Sequence, residues 1–300
     1  MLAEKIVQGD VRALARAATL IENRRPDAEA LLRELFPRTG RAMILGVTGA
    51  PGAGKSTLCD QLTERLRGEG KTVGVIAVDP TSPYTGGAIL GDRIRMQRHH
   101  ADAGVFIRSM ATRGWLGGLA AATTEMTMLL DAAGFDVVLV ETVGVGQDEV
   151  EIARLADVTL VVMVPGMGDD VQAIKAGIIE IADVFVINKA DQPGADKLER
   201  ELNSYLGLSH RPDGWSPKIV RTVASDGQGI GELLEAAREY HARGSSRTRA
   251  AEIWAARLRE MLRERLIEKL PAQEFAAAGR EVAEHRRDPY SILHDWLERI

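Results

Sequence analysis

The spacing of apolar positions changes at Gly40. Before it, Val7, Val11, Leu14, Ala18 and Ile21 recur at steps of four and three, which predicts one face of a helix capped by Asp10. A second short helix is predicted to start at Asp27, bury Leu31, Leu32 and Leu35, and stop before Pro37. After Gly40 the apolar residues gather into seven short runs: MILGVT, VGVIAV, VFIRSM, VVLVE, VTLVVM, VFVIN and IVRTV. Runs with no polar alternation, separated mostly by segments of helical length, predict an α/β fold. Its sheet is seven-stranded, mostly parallel and covered on both faces. ARGSSRTR, Ala242 to Arg249, reads as a linker. Beyond it Trp254, Leu258, Met261, Leu262, Leu266 and Leu270 mark an apolar stripe on further helices, with no sustained heptad.

Composition narrows this picture. With 300 residues, 45% hydrophobic and 27% charged, the chain suits one α/β domain with helical additions. A net charge of −5 argues against a general nucleic-acid surface. Arg243, Arg247 and Arg249 read as a solvated helix face. The single cysteine, Cys59, rules out an internal disulfide and a multi-cysteine metal site, which suits a reducing compartment. No stretch approaches the ~18 continuous apolar residues of a membrane span. MLAEKIVQGD lacks the apolar core of a secretory signal. The expectation is a soluble, cytoplasmic protein that binds neither nucleic acid nor membrane.

Chemistry concentrates where the first strand ends. Gly49-Ala50-Pro51-Gly52-Ala53-Gly54-Lys55-Ser56 fits G-x-x-x-x-G-K-[ST] between a predicted strand and a helix that opens with Ser56-Thr57. Backbone N–H groups of such a loop and the positive end of its helix converge on a phosphate. Pro51 has no N–H, so the donors come mainly from Gly52 onward. Lys55 would neutralise β/γ oxygens, and the Ser56 hydroxyl suits Mg²⁺. Asn188-Lys189-Ala190-Asp191 ends a later strand. A carboxylate there accepts from guanine N1–H and its 2-amino group, whereas adenine would leave Asp191 unpaired, so the expected nucleotide is GTP, with GDP as product. The Lys189 stem would cover the base, Asn188 would tie the loops together, and the Ala224 N–H would reach guanine O6. Asp79 and Glu141 end strands beside the phosphate loop, and with Asp92 they are candidate Mg²⁺ carboxylates. Gly144 would let the backbone approach the γ-phosphate. The next residue is Val145, where Ras-type enzymes carry a water-orienting glutamine; Gln147 lies nearby, and slow intrinsic hydrolysis is expected.

The stretches VTGAPGAGKSTL, VDPTSP, GDRIRM, ETVGVGQDEVEI, VPGMGDDVQAIKAG, IADVFVINKAD and RRDPYSI together resemble the MeaB/ArgK family over nearly the whole chain. These are GTPases associated with methylmalonyl-CoA mutase. The resemblance implies a P-loop domain of the SIMIBI class at 43–241, a helical extension at 1–42, and a dimerisation arm at 242–300. It implies a homodimeric, GTP-hydrolysing chaperone. That chaperone gates adenosylcobalamin loading and protects or reactivates a cobalamin-dependent acyl-CoA mutase, with an adenosyltransferase as a further partner. By match of motif it places Asp79, Asp92 and Glu141 around Mg²⁺. It also makes Gly168 to Lys175 an additional switch, with Asp170 and Lys175 acting near nucleotide and partner. From the sequence alone Lys175 reads only as a helix-surface lysine. VASDGQG departs from the Ser-Ala order common in the guanine-O6 loop. Three other readings stand beside this one, the third a non-enzymatic binding module that uses nucleotide only as structural glue. A metal-insertion GTPase needs a thiol and imidazole cluster, whereas Cys59 is isolated and His99-His100 read as solvated. A transport-protein kinase would use ATP, against the guanine motif.

Overall fold

The computed structural model describes residues 1–79, 96–99, 101–111, 118–142, 152–166, 178–208, 211, 213–244 and 247–299. All seven predicted strands form: β1 (Met43–Gly49), β2 (Val73–Asp79), β3 (Val105–Ala111), β4 (Val137–Glu141), β5 (Val158–Met163), β6 (Val184–Asn188) and β7 (Lys218–Thr222). They make one sheet in the order β3-β2-β4-β1-β5-β6-β7, and every pairing is parallel. β1, β4, β5 and β6 are buried at every residue, which is why their sequences show no alternation.

One face of the sheet is covered by α4 (Lys55–Gly68) and α7 (Ile230–Gly244). Leu58, Leu62, Leu233 and Ala237 pack there with Val75, Leu139 and Leu160. The other face carries α5 (Gly118–Ala132), on which α2 (Val11–Glu22) and α3 (Pro26–Leu35) rest, with α1 (Leu2–Val7) packed on those two. Leu14, Ile21, Leu31 and Leu35 share that core with Met126, Leu129 and Leu130. Toward β7, α6 (Ala195–Leu206) buries Leu198 and Leu202 against Phe185 and Ile187.

Asp10 caps α2 as expected, accepting from the Arg12 and Ala13 N–H groups at 2.9 and 3.0 Å. The stripe is nevertheless split. Val7 ends α1, and Val11, on the first turn of α2, is 55% exposed. α3 starts at Pro26, one residue before the expected Asp27, since proline suits the first helical position. The expected linker is the largest correction among the elements. α7 continues to Gly244 and α8 (Arg247–Glu268) begins three residues later, followed by α9 (Ala272–Ala283) and α10 (Pro289–Arg299). α8 lies on α5, and its Trp254 meets Phe36 edge-on with ring centroids 5.6 Å apart. Leu258 and Leu262 of the stripe remain exposed. Among the described residues no helix is long and apolar enough to cross a membrane.

Candidate nucleotide site

Parallel strands bring their carboxyl ends to one edge, and here Gly49, Glu141, Asn188 and Thr222 are the last residues of β1, β4, β6 and β7. The loop Ala50–Gly54 leaves β1 at this edge and feeds straight into α4, whose first residue is Lys55. Lys55 and Ser56 are buried, which is uncommon for a lysine. The Lys55 ammonium donates to the Gly49 and Ala50 carbonyls at 2.8 and 3.0 Å, so its charge sits inside the loop. Thr57, one residue on, is partly exposed at the same helix start.

Asn188 joins three segments. Its Nδ2 donates to the Ala53 carbonyl at 2.8 Å, while its Oδ1 accepts from the Thr222 hydroxyl and the Ala224 N–H, both at 3.1 Å. The expectation that it ties the loops together is therefore met. Gly54 is shaped by this tie: at φ +88° it takes a left-handed backbone, and a Cβ there would lie 2.4 Å from Asn188 Nδ2. Lys189, also left-handed at φ 54°, reaches across to donate to the Gly52 carbonyl at 3.0 Å. Its stem bridges the guanine and phosphate motifs. Asp191 is exposed beside it, on a turn held by the Ala190 N–H to the Thr222 carbonyl at 3.1 Å.

The Ala224 N–H, expected to reach guanine O6, donates in this structure to Asn188 Oδ1. Thr222 went unassigned in the sequence; its signal is a hydroxyl at the last position of an apolar strand, next to the turn.

For the cation, Ser56 Oγ donates to Glu141 Oε1 at 2.6 Å, and both residues are buried. Thr142, beside them, donates to the Thr48 hydroxyl at 3.0 Å. The register sets Ala77 of β2 beside Glu141, so the backbone of Asp79 ends the adjacent strand two residues further along. The Asp79 side chain lies outside the described residues, as do Asp92, Gly144, Val145, Gln147, Asp170 and Lys175. Ser56 and Glu141 offer the hard oxygen donors that Mg²⁺ prefers. His99 corrects the reading of solvated histidines: it is 7% exposed, with Nε2 3.0 Å from Asp60 Oδ1. Among the described residues no group of three or more His, Cys, Asp or Glu could hold a metal.

Comparison with known proteins bears on this geometry. The family model described as methylmalonyl-CoA mutase-associated GTPase MeaB matches residues 14–276. A Pyrococcus abyssi protein assigned to the GTPases is 51% identical, over 100% of this chain and 96% of its own length. GTPase ArgK of Escherichia coli is 39% identical, over 91% of this chain and 85% of its own. The solved structure of a LAO/AO transport system kinase superposes with a TM-score of 0.73 at 32% identity, covering 99% of this chain and 95% of that one.

Proposed function

The chain belongs to the family of methylmalonyl-CoA mutase-associated GTPases, and we propose that its GTP hydrolysis serves a cobalamin-dependent acyl-CoA mutase. In this reading it gates adenosylcobalamin loading and protects or reactivates that mutase, with an adenosyltransferase as the source of cofactor. The observation that carries the reading is the match of residues 14–276 to that family model, supported by the Asn188 tie that joins the phosphate loop to the guanine motif. A site built this way reports the state of its nucleotide to the segments that leave the same sheet edge. Val145 at the glutamine position fits an enzyme that waits for a partner to accelerate it.

The chain's own residues divide the work. Lys55 holds positive charge against the β/γ oxygens, and loop N–H groups from Gly52 onward orient them. Ser56 and Glu141, with Asp79 and Asp92, would hold Mg²⁺, which supplies charge neutralisation between the β- and γ-phosphates when bound. Asp170 and Lys175 would sense the mutase. The arm, residues 242–300, would pair two copies.

The test is GTP turnover with and without the cognate mutase, for the native chain and for Asp170→Ala and Lys175→Ala. Stimulation of the native chain that both variants lose, at unchanged basal rates, is the expected result. Equal fold-stimulation in all three would remove the switch assignment, and no stimulation by any cobalamin-dependent mutase would remove the partner. Direct comparison of ATP and GTP affinity separates this reading from an ATP-using kinase.

A further inference from the structure

α8 is fastened to the nucleotide-binding body by a buried guanidinium. Arg257 donates through a terminal nitrogen to the Leu155 carbonyl. Its Cζ lies over the Trp254 indole, 5.0 Å from the ring centroid. Burial lowers the pKa of this guanidinium, and the charge of Asp157 opposes that shift. Its Nε is buried without a hydrogen-bond partner among the described residues. A half-satisfied cation is an expensive way to dock a helix, because the buried Nε keeps its desolvation cost with no bond to offset it.

The place it grips explains the choice. Leu155 ends a turn in which the Ala156 N–H donates to the Ile152 carbonyl at 2.9 Å. That turn presses on β1 at Gly46, where a Cβ would stand 2.6 Å from Ile152 Cγ1 and 2.9 Å from the Ala156 Cβ. Asp157 then clasps the start of β1 with two bonds of 2.9 Å, its N–H to the Ile44 carbonyl and the Ile44 N–H to its Oδ2. β1 runs on into Gly49, whose carbonyl holds the Lys55 ammonium. From Arg257 to Lys55 every step is a direct contact or a bond along the strand.

We propose that Arg257 is a positioning residue that couples the docking of α8 to nucleotide binding at the phosphate loop. α8 has two arrangements, docked with the guanidinium against Leu155 and Trp254, and released with it hydrated. Nucleotide that draws Lys55 and the phosphate loop inward holds β1 against the 152–157 turn and favours the docked one. By linkage, docking tightens nucleotide binding by the same factor. This rests on the GTP site alone and not on a mutase.

The experiment reads nucleotide binding by calorimetry and the Trp254 part of the emission, taken as native chain minus Trp254→Phe. The native chain should show a Trp254 change on binding GTP. Arg257→Leu should lose that change and bind GTP about fivefold more weakly or worse, with Arg257→Lys restoring part of both. A purely structural staple would lower the melting temperature and move neither readout. An absent Trp254 change in the native chain, or native GTP affinity in Arg257→Leu, overturns the coupling. Should Arg257→Leu not fold, Arg257→Gln against Arg257→Lys decides by the same criteria. Failure of the native chain to bind GTP would instead overturn the nucleotide site.

Discussion

Asn188 and Asp191 stand three positions apart and should fail differently when changed. Asn188 is 2% exposed and satisfies a carbonyl of the phosphate loop, a hydroxyl at the end of β7 and an N–H in the turn after it. Asn188→Ala leaves those groups buried and unpaired, at about 1–3 kcal/mol for each that water cannot reach. Its urea midpoint should fall well below the native one, and GTP binding should weaken with it. Asp191 is exposed, so Asp191→Asn should keep the native midpoint while relaxing base choice toward xanthine nucleotide, which carries a carbonyl where guanine has its amino group. Competition between GTP and XTP checks this, and unchanged guanine preference would mean the base sits elsewhere. The residue types of the site were legible because phosphate loops and N-K-x-D turns need particular donors at fixed spacing. That Ala224 gives its N–H to Asn188 was not legible, because it depends on the distance between turns leaving different strands. Arg257 was illegible for a related reason: an arginine on a charged helix looks solvated until the turn beneath it is placed.

At the scale of elements, strands were read well because β1, β4, β5 and β6 are buried at every residue and so read as nearly unbroken apolar runs. Even β7, exposed at Lys218 and Arg221, keeps Ile219 and Val220 between them. Helix ends were read less well. Gly244 and the serines after it suggested a linker, yet α7 keeps its helical pattern to Gly244, since exposed terminal turns tolerate glycine. The junction of α4 with the loop before β3 yields a pH prediction. Arg67 donates from Nε and a terminal nitrogen to Asp102 at 2.7 and 2.8 Å. The guanidinium bond, helped by the Gly104 N–H, holds the Asp102 carboxyl below its ordinary value. A depressed folded-state value means the pair stabilises the protein above about pH 4, and that this is lost as pH falls through the depressed value. Both side chains are a quarter to a third exposed, so solvent screens the gain. Arg67→Leu should therefore melt below the native chain at neutral pH, with the gap narrowing as pH falls below about 4, as followed by circular dichroism.

Across the whole molecule, the extensions prove to be part of the fold's support. Arg24 pairs with Glu268, and Arg265 with Glu29 at 2.8 Å, so the docked α8 meets the amino-terminal segment as well as α5. Two truncations should consequently differ. Removing everything from Arg249 strips away Trp254 and Arg257 and should lower the melting temperature. Removing everything from Pro271 leaves α8 in place and should keep both the melting temperature and GTP binding. Light scattering on the shorter deletion tests whether α9 and α10 carry the proposed pairing; an intact dimer would assign it to α8 or earlier. The sheet order has a further consequence for how this protein comes into being. β1 emerges first among the strands but sits at the centre, between β4 and β5, and the phosphate loop it carries is braced by Asn188 and through it by Thr222. Contacts so distant in sequence form slowly and late. A chain still on the ribosome should therefore bind GTP only weakly until β7 has left the exit tunnel, with the nucleotide sealing a finished sheet and not nucleating it.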